Sequence, residues 1–295
     1  MRIAIASGKG GTGKTTVATN LAYVASLDGR TVAYVDCDVE EPNGHLFLKP
    51  EWLVSKPVTR PVPQVDETRC TQCGRCGEIC QYSAIVPLGT TVLVYPELCH
   101  GCGGCKLVCP AGAITETPRQ IGVLEMGWSG DIQFNRGVLN IGEAMSPPLI
   151  RQVKSAPPKT DLTLIDAPPG TSCPVIASVR GADCVVLVTE PTPFGLHDLK
   201  LAVEMVRTLN LPPGVVVNRA DAGNRATWEY CSGNQIPVLA EIPDDRRVAE
   251  AYSRGQLAAL LSQEYRDRFR SLLREVTTLA TSPRPHAVMS GGGSR

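Results

Sequence analysis

Eight of the twelve cysteines in this 295-residue chain fall between Cys70 and Cys109, in two runs of the same spacing. The first is Cys70-x2-Cys73-x2-Cys76-x3-Cys80; the second is Cys99-x2-Cys102-x2-Cys105-x3-Cys109, followed by Pro110. This spacing lets three thiolates wrap one iron–sulfur cubane from a tight loop, while the fourth begins a helical turn directed at a neighbouring cubane. The expected ligand sets are therefore crossed. One cluster takes Cys70, Cys73, Cys76 and Cys109; the other takes Cys99, Cys102, Cys105 and Cys80. Zinc is the competing reading, but zinc sites ordinarily use C-x2-C pairs separated by a longer loop. Two [4Fe–4S] clusters are expected. Gln81 follows Cys80 where Pro110 follows Cys109, a change that leaves the ligand itself intact. His100 lies beside Cys99 and reads as an exposed loop residue, with tuning of that cluster by hydrogen bonding as the alternative.

A second chemistry lies at the N-terminus, in Gly8-Lys9-Gly10-Gly11-Thr12-Gly13-Lys14-Thr15-Thr16. A glycine-rich loop between a strand and a helix turns backbone N–H groups and a positive helix end toward phosphate oxygens. Lys14 is expected to reach the β- and γ-phosphates, and the Thr15 hydroxyl to ligate Mg²⁺. Acidic residues close two further apolar runs: Asp36-Cys37-Asp38 after residues 31–36, and Asp166-Ala167-Pro168-Pro169-Gly170-Thr171 after residues 162–165. Carboxylates at strand ends stand at the mouth of a parallel α/β sheet, where a nucleotide's metal and attacking water would sit.

These groups need elements to hold them. Arg2 to Ala6 reads as a buried strand and residues 16–27 as a helix; residues 31–36, 162–165 and 215–217 read as further strands. The apolar positions Leu257, Leu260, Leu261, Tyr265, Phe269, Leu272, Leu273, Val276 and Leu279 recur at helical spacing, with Arg and acidic residues interleaved. That pattern favours a packed closing helix over a membrane-targeting one. Cys37, Cys184 and Cys231 sit in apolar or helical contexts and read as structural. Lys and Arg together number 29, as do Asp and Glu, and aromatics are only 5%. This balance argues against a nucleic-acid-coating surface. No apolar run approaches the roughly 20 residues that span a bilayer, and the first residues read as a strand without the h-region and cleavage site expected of a signal peptide. A cytoplasmic protein is expected, without nucleic-acid partners and with membrane association disfavoured.

The Gly8–Thr16 string resembles the deviant Walker A motif of the MinD/ParA/Mrp class, which includes the nitrogenase iron protein. The resemblance implies that Lys9 crosses a dimer interface to the partner's nucleotide, in a homodimer or a heterodimer with a paralogous ATPase. It implies that Asp38 polarises the attacking water, that Asp36 acts through magnesium-bound water, and that Asp166 is the Walker B carboxylate. Gly170 is then the γ-phosphate-sensing residue of switch II. Asn218, with Arg219 beside it, resembles the family's adenine-reading position, and the loop containing Pro243 resembles the other wall of the base site. Lys9, Lys14, Asp38 and Asp166 form the expected catalytic set; Gly8, Gly10, Gly11, Thr12, Gly13, Thr15 and Thr16 complete the cradle for ATP or ADP.

The cysteine runs resemble those of bacterial two-cluster ferredoxins, and the whole chain resembles MinD-superfamily ATPases carrying an inserted ferredoxin domain. The implied fold is α/β: a mostly parallel, doubly wound P-loop sheet with a small inserted α+β ferredoxin-like module. Proline-rich strings frame the insertion, giving residues 1–63 and 118–284 for the ATPase domain, 64–117 for the module and 285–295 for a disordered tail. The implied activity is Mg-dependent ATP hydrolysis, slow and partner-stimulated, coupled to electron transfer with a redox or metallocofactor-related partner. The alternative is an assembly, carrier or positioning ATPase in which the clusters are sensors or cargo. Mrp-type carriers use a C-x-x-C near the C-terminus, and none follows Cys231. Cys173, in the switch II stretch, lies near where the nitrogenase iron protein has a bridging cluster ligand, but no second ligand of that kind is evident.

Overall fold

A computed structural model describes residues 1–282, so the expected 285–295 tail lies outside the described residues. In chain order the strands are β1 (Arg2–Ala6), β2 (Val32–Asp36), β3 (Glu51–Val65), β4 (Ile85–Leu88), β5 (Thr91–Val94), β6 (Ile114–Ser129), β7 (Ile132–Leu139), β8 (Leu162–Asp166), β9 (Cys184–Thr189), β10 (Pro213–Asn218) and β11 (Val238–Ile242). The α-helices are α1 (Lys14–Leu27), α2 (Gly44–Leu48), α3 (Arg75–Ile79), α4 (Gly104–Leu107), α5 (Pro147–Ser155), α6 (Cys173–Val179), α7 (Pro193–Thr208), α8 (Ala226–Gly233), α9 (Arg246–Ser253) and α10 (Gln263–Thr281).

Nine strands form one sheet in the order β11-β10-β9-β1-β8-β2-β7-β6-β3. From β11 to β7 all neighbours are parallel; β6 and β3 then join antiparallel at one edge. The central strands are apolar throughout because helices cover both faces. On β1, Ile3 and Ile5 face a core shared with Leu21 of α1 and Phe269 and Val276 of α10. Ala4 and Ala6 face the opposite core, built with Leu149 of α5, Val175 of α6 and Val203 of α7. The period-2 alternation of a single five-residue strand thus feeds two layers. Tyr265, Phe269, Leu272, Leu273 and Val276 of α10 are all buried, so the amphipathic face of the last helix is spent on the core. No helix among the described residues is long and apolar enough to cross a membrane.

The proline-rich strings at the expected module boundaries are not linkers. Pro57, Pro61 and Pro63 lie within β3, and Pro118 within β6, in a ribbon paired from Glu51↔Trp128 to Val65↔Ile114. Proline has no N–H to donate, and β3 is the edge strand where that loss is tolerated. One half of the ribbon packs beside β7: of β6, only Gly122–Ser129 pair with it. The other half runs past β7, and between its two strand ends lies the segment with α3, the β4–β5 hairpin and α4, whose helices and connecting turns carry the eight clustered cysteines.

Candidate functional site

All the carboxylates expected at the nucleotide site stand at strand carboxyl ends. Asp36 closes β2 and Asp166 closes β8, and the two are register partners in adjacent parallel strands. The loop after β1 enters α1 through Gly13, whose φ of 93° is left-handed. A Cβ there would also meet the Asn218 amide nitrogen at 2.5 Å, so glycine is required on two counts. Lys14 follows directly, and its Nζ lies 2.8 Å from Asp166 Oδ1 and 3.8 Å from Asp38 Oδ2. Tyr34 Oη donates to the other Asp166 oxygen at 2.8 Å. Both oxygens of a fully buried carboxylate are therefore satisfied by side chains, as burial demands.

Asp36 is equally buried. Its Oδ2 accepts from Gly44 N at 3.0 Å and its Oδ1 from Asp38 N at 3.2 Å. Burial, and then the adjoining Asp166 charge, push its pKa up to about 8. Asp38 is pushed up to about 6 by burial, although Lys14 acts against the rise. An acid whose folded pKa lies above its unfolded value binds its proton more tightly when folded, so it costs stability as pH climbs between the two. Asp36→Asn should therefore stabilise the nucleotide-free, metal-free protein at pH 8, and the gain should shrink toward pH 4. Chemical denaturation at several pH values checks this; a gain independent of pH would refute it.

A cleft of about 370 Å³ opens above these groups, lined by Gly10, Gly11, Gly13, Lys14, Thr15, Thr16, Asp38, Asn218, Arg219 and Pro243 among others. The remaining expected residues lie around it. Gly8 packs on the backbone of Asp198 in α7. Thr12 is buried; its carbonyl accepts from Asn218 Nδ2 at 2.9 Å, and its hydroxyl is a buried oxygen without a partner. That bond uses one of the two Asn218 amide N–H donors. Gly170 N donates to Ser7 O at 2.9 Å, tying the loop after β8 to the end of β1. Lys9 lies 3.7 Å from Glu190 Oε2, and Arg219 pairs with Glu190 Oε1 at 3.1 Å and with Asp244 at 3.6 Å.

Sequence reasoning missed Tyr34 and Glu190. Glu190 carried a usable signal, since it follows the apolar run 184–189 as Asp36 and Asp166 end theirs. Tyr34 carried none, because its partner is 132 positions away. Tyr252, Tyr265 and Phe269 form a further wall of the cleft; helical periodicity marked the last two only as core. Tyr265 Oη donates to Asp245 at 2.8 Å, and this bond, after those from Arg247, holds the Asp245 carboxyl well below the usual range.

The eight clustered cysteines sort into two cavities. Cys70, Cys73, Cys76 and Cys109 line one, with Val65, Pro87, Val92 and Ile114. Cys80, Cys99, Cys102 and Cys105 line the other, with Pro61, Pro63, Tyr82 and His100. Each set draws its fourth cysteine from the other run. Backbone N–H groups donate to three of the sulfurs at 3.3 Å: Ala113 to Cys109, Ala84 to Cys80 and Gly101 to Cys99. Cys80 is partly desolvated, but N–H groups of Tyr82, Ala84, Ile85 and Ser83 outweigh this and bring its thiol below the usual range. Such bonds favour the thiolate. The His100 and Tyr82 rings stack beside the second set, 8° from parallel. Among the described residues no three His, Cys, Asp or Glu side chains converge closely enough to bind a single metal ion. A cubane carries its thiolates on four separate irons, so its ligands stand farther apart than those of one ion. Cys37, Cys184 and Cys231 are buried, and Cys173 is exposed at the start of α6.

Comparison with known proteins matches residues 3–258 to the CobQ/CobB/MinD/ParA nucleotide binding domain. An uncharacterised protein of Methanocaldococcus jannaschii is 30% identical over 87% of this chain and 90% of its own. An iron–sulfur cluster carrier protein of Aquifex aeolicus is 27% identical over 86% of this chain and 60% of its own. The septum site-determining protein MinD of Pyrococcus horikoshii, solved with Mg-ADP, superposes with a TM-score of 0.60 at 24% identity, covering 95% of this chain and 97% of that one. The phosphate loop, the strand-end carboxylates and the parallel sheet agree with these matches, and the chain belongs to the CobQ/CobB/MinD/ParA nucleotide-binding domain family.

Proposed function

We propose that this protein binds and hydrolyses Mg-ATP and couples the resulting switch-loop changes to electron transfer through two [4Fe–4S] clusters. Cys70, Cys73, Cys76 and Cys109 would hold one cluster, and Cys80, Cys99, Cys102 and Cys105 the other. The observation that carries the reading is the crossed sorting of the eight cysteines into two four-cysteine cavities. When bound, the clusters supply one-electron chemistry at potentials set by hydrogen bonds to sulfur, charge and solvent exposure.

The chain's own groups do the rest. Lys14 would leave Asp166 for the β- and γ-phosphates, and Thr15 and, through water, Asp36 would hold the magnesium. Asp38 would orient the attacking water, and Asp166 would brace the metal shell. Tyr34 keeps Asp166 oriented once Lys14 has left it. Lys9, already on the protein surface beside Glu190, would reach the nucleotide of a second copy or of a paralogous ATPase. Closure of that dimer repositions the switch loops, and with them the module at the end of the β3–β6 ribbon. The partner would be a redox or metallocofactor-related protein.

A second reading, an assembly or carrier ATPase, is supported by the likeness to the Aquifex carrier protein. Anaerobic reduction potentials, measured by EPR-monitored titration without nucleotide, with ADP and with ATP, separate the two. A nucleotide-dependent shift of about 30 mV or more, roughly 0.7 kcal/mol for one electron, supports ATP-gated electron transfer. Unchanged potentials, together with transfer of iron and sulfide to an apo-acceptor, would favour the carrier.

A further inference from the structure

We propose that the buried Arg60–Glu143 ion pair mounts the second cysteine site on the nucleotide-binding domain, and that the charge of Arg60 raises the reduction potential of the cluster held there. The proposal rests on the iron–sulfur reading above.

Arg60 lies on β3 where the ribbon passes beyond β7, and only 2% of it is exposed. Its Nη2 donates in two directions, to Pro96 O at 3.0 Å and to Glu143 Oε1 at 3.0 Å. Pro96 opens the turn that leads into Cys99. Gly101, between Cys99 and Cys102, has a φ of 66°, and a Cβ there would stand 3.1 Å from Arg60 Cγ and 3.2 Å from Pro61 O. The cysteine loop is therefore seated on the stem of Arg60 and held by its head. Pro61, the next residue along, lines the second cavity.

Glu143 lies on the opposite side of the pair, in the segment joining β7 to α5. Its carboxylate also accepts from Met145 N at 3.3 Å, and Arg119 stands 3.6 Å from Oε2. This segment leads straight into α5, which packs against α6, the helix of the switch II region. One buried bond thus joins the cysteine loop to the nucleotide-binding domain.

The pair is poorly suited to stability alone. Arg60 Nε and Nη1 and Glu143 Oε2 are buried without hydrogen-bond partners. Buried ion pairs rarely outperform well-packed apolar side chains, and unpaired donors make this one worse. What an apolar replacement cannot supply is a fixed positive charge on the cluster side of the pair. A cluster gains negative charge on reduction, so a nearby guanidinium favours the reduced form, and a nearby carboxylate opposes it.

The test uses opposite signs. Anaerobically reconstituted full-length protein carrying Arg60→Met should show a lower potential for the cluster of Cys80, Cys99, Cys102 and Cys105. Glu143→Gln, which keeps the shape and an acceptor oxygen, should raise it. The cluster of Cys70, Cys73, Cys76 and Cys109 serves as the internal reference and should stay unchanged in both. Arg60→Lys should keep more of the wild-type potential than Arg60→Met. Should Arg60→Met fail to fold, the near-isosteric Glu143→Gln decides the matter alone. Shifts of the same sign in both variants, equal shifts of both clusters, or no shift would overturn the proposal. Wild-type protein that takes up no iron would overturn the reading beneath it, and the proposal with it.

Discussion

Lys14→Ala should reduce ATP turnover by about 10²–10³-fold, the usual cost of deleting one preorganised group that meets developing charge. The structure adds a second expected effect, on the nucleotide-free protein. Burial alone would lower the Lys14 pKa, yet Asp166, Asp38 and Asp36 together hold it above the ordinary lysine value. Lys14 is thus the cation that lets these carboxylates share a dry pocket. Removing one partner of a buried pair costs about 3–5 kcal/mol when the remaining charge has nowhere to go. Here part of that loss is recoverable, because an orphaned carboxylate can take up a proton instead. The variant should therefore be less stable than wild type at pH 8, with the deficit narrowing toward pH 5. Phosphate release with saturating Mg-ATP checks the first effect, and denaturant titration without nucleotide the second. Turnover at the wild-type rate would remove Lys14 from the chemistry.

Cys76→Ala and Cys109→Ala should remove the same cluster, although the two residues belong to different sequence runs. Wild-type protein reconstituted anaerobically should carry about eight irons per chain, and either variant about four. Cys80→Ala should instead group with Cys102→Ala, leaving the other cluster's EPR signal in place. The expectation follows from the cavities: Cys109 shares one with Cys70, Cys73 and Cys76, and Cys80 shares the other with Cys99, Cys102 and Cys105. If Cys109→Ala and Cys105→Ala removed one and the same cluster, the ligand sets would be uncrossed. A stoichiometry near two metal ions per chain, with no EPR signal on reduction, would return the site to zinc.

The phosphate loop was legible because its determinants are contiguous. Glycines at Gly8, Gly10, Gly11 and Gly13, between an apolar strand and a helix, let the backbone reach left-handed conformations, as at Gly11 and Gly13, that turn N–H groups inward as a cradle. The cysteine runs were legible for the same reason, since the reach of a three-residue spacing is a property of the backbone alone. Individual strands were legible as short apolar runs, and the mostly parallel sheet was what the family resemblance implied. The proline-rich strings lie inside strands and not between elements. Proline content reports a missing N–H, and only the sheet order shows that β3 is an edge where no donor is needed.

Residue types, spacing and local periodicity by themselves marked the phosphate loop, the strand-end carboxylates and the two cysteine runs, because each is built within a few residues; the class of fold came from those motifs together with the family they resemble. Only the tertiary structure decided how the chemistries are braced and joined. Asp36 and Asp166 become neighbours through the β2–β8 register; Tyr34 reaches across to Asp166; Arg60 meets Glu143 from 83 positions away. Such contacts depend on strand order and on which side chains share a buried space, and no local pattern encodes a partner that the chain meets only after the sheet has closed.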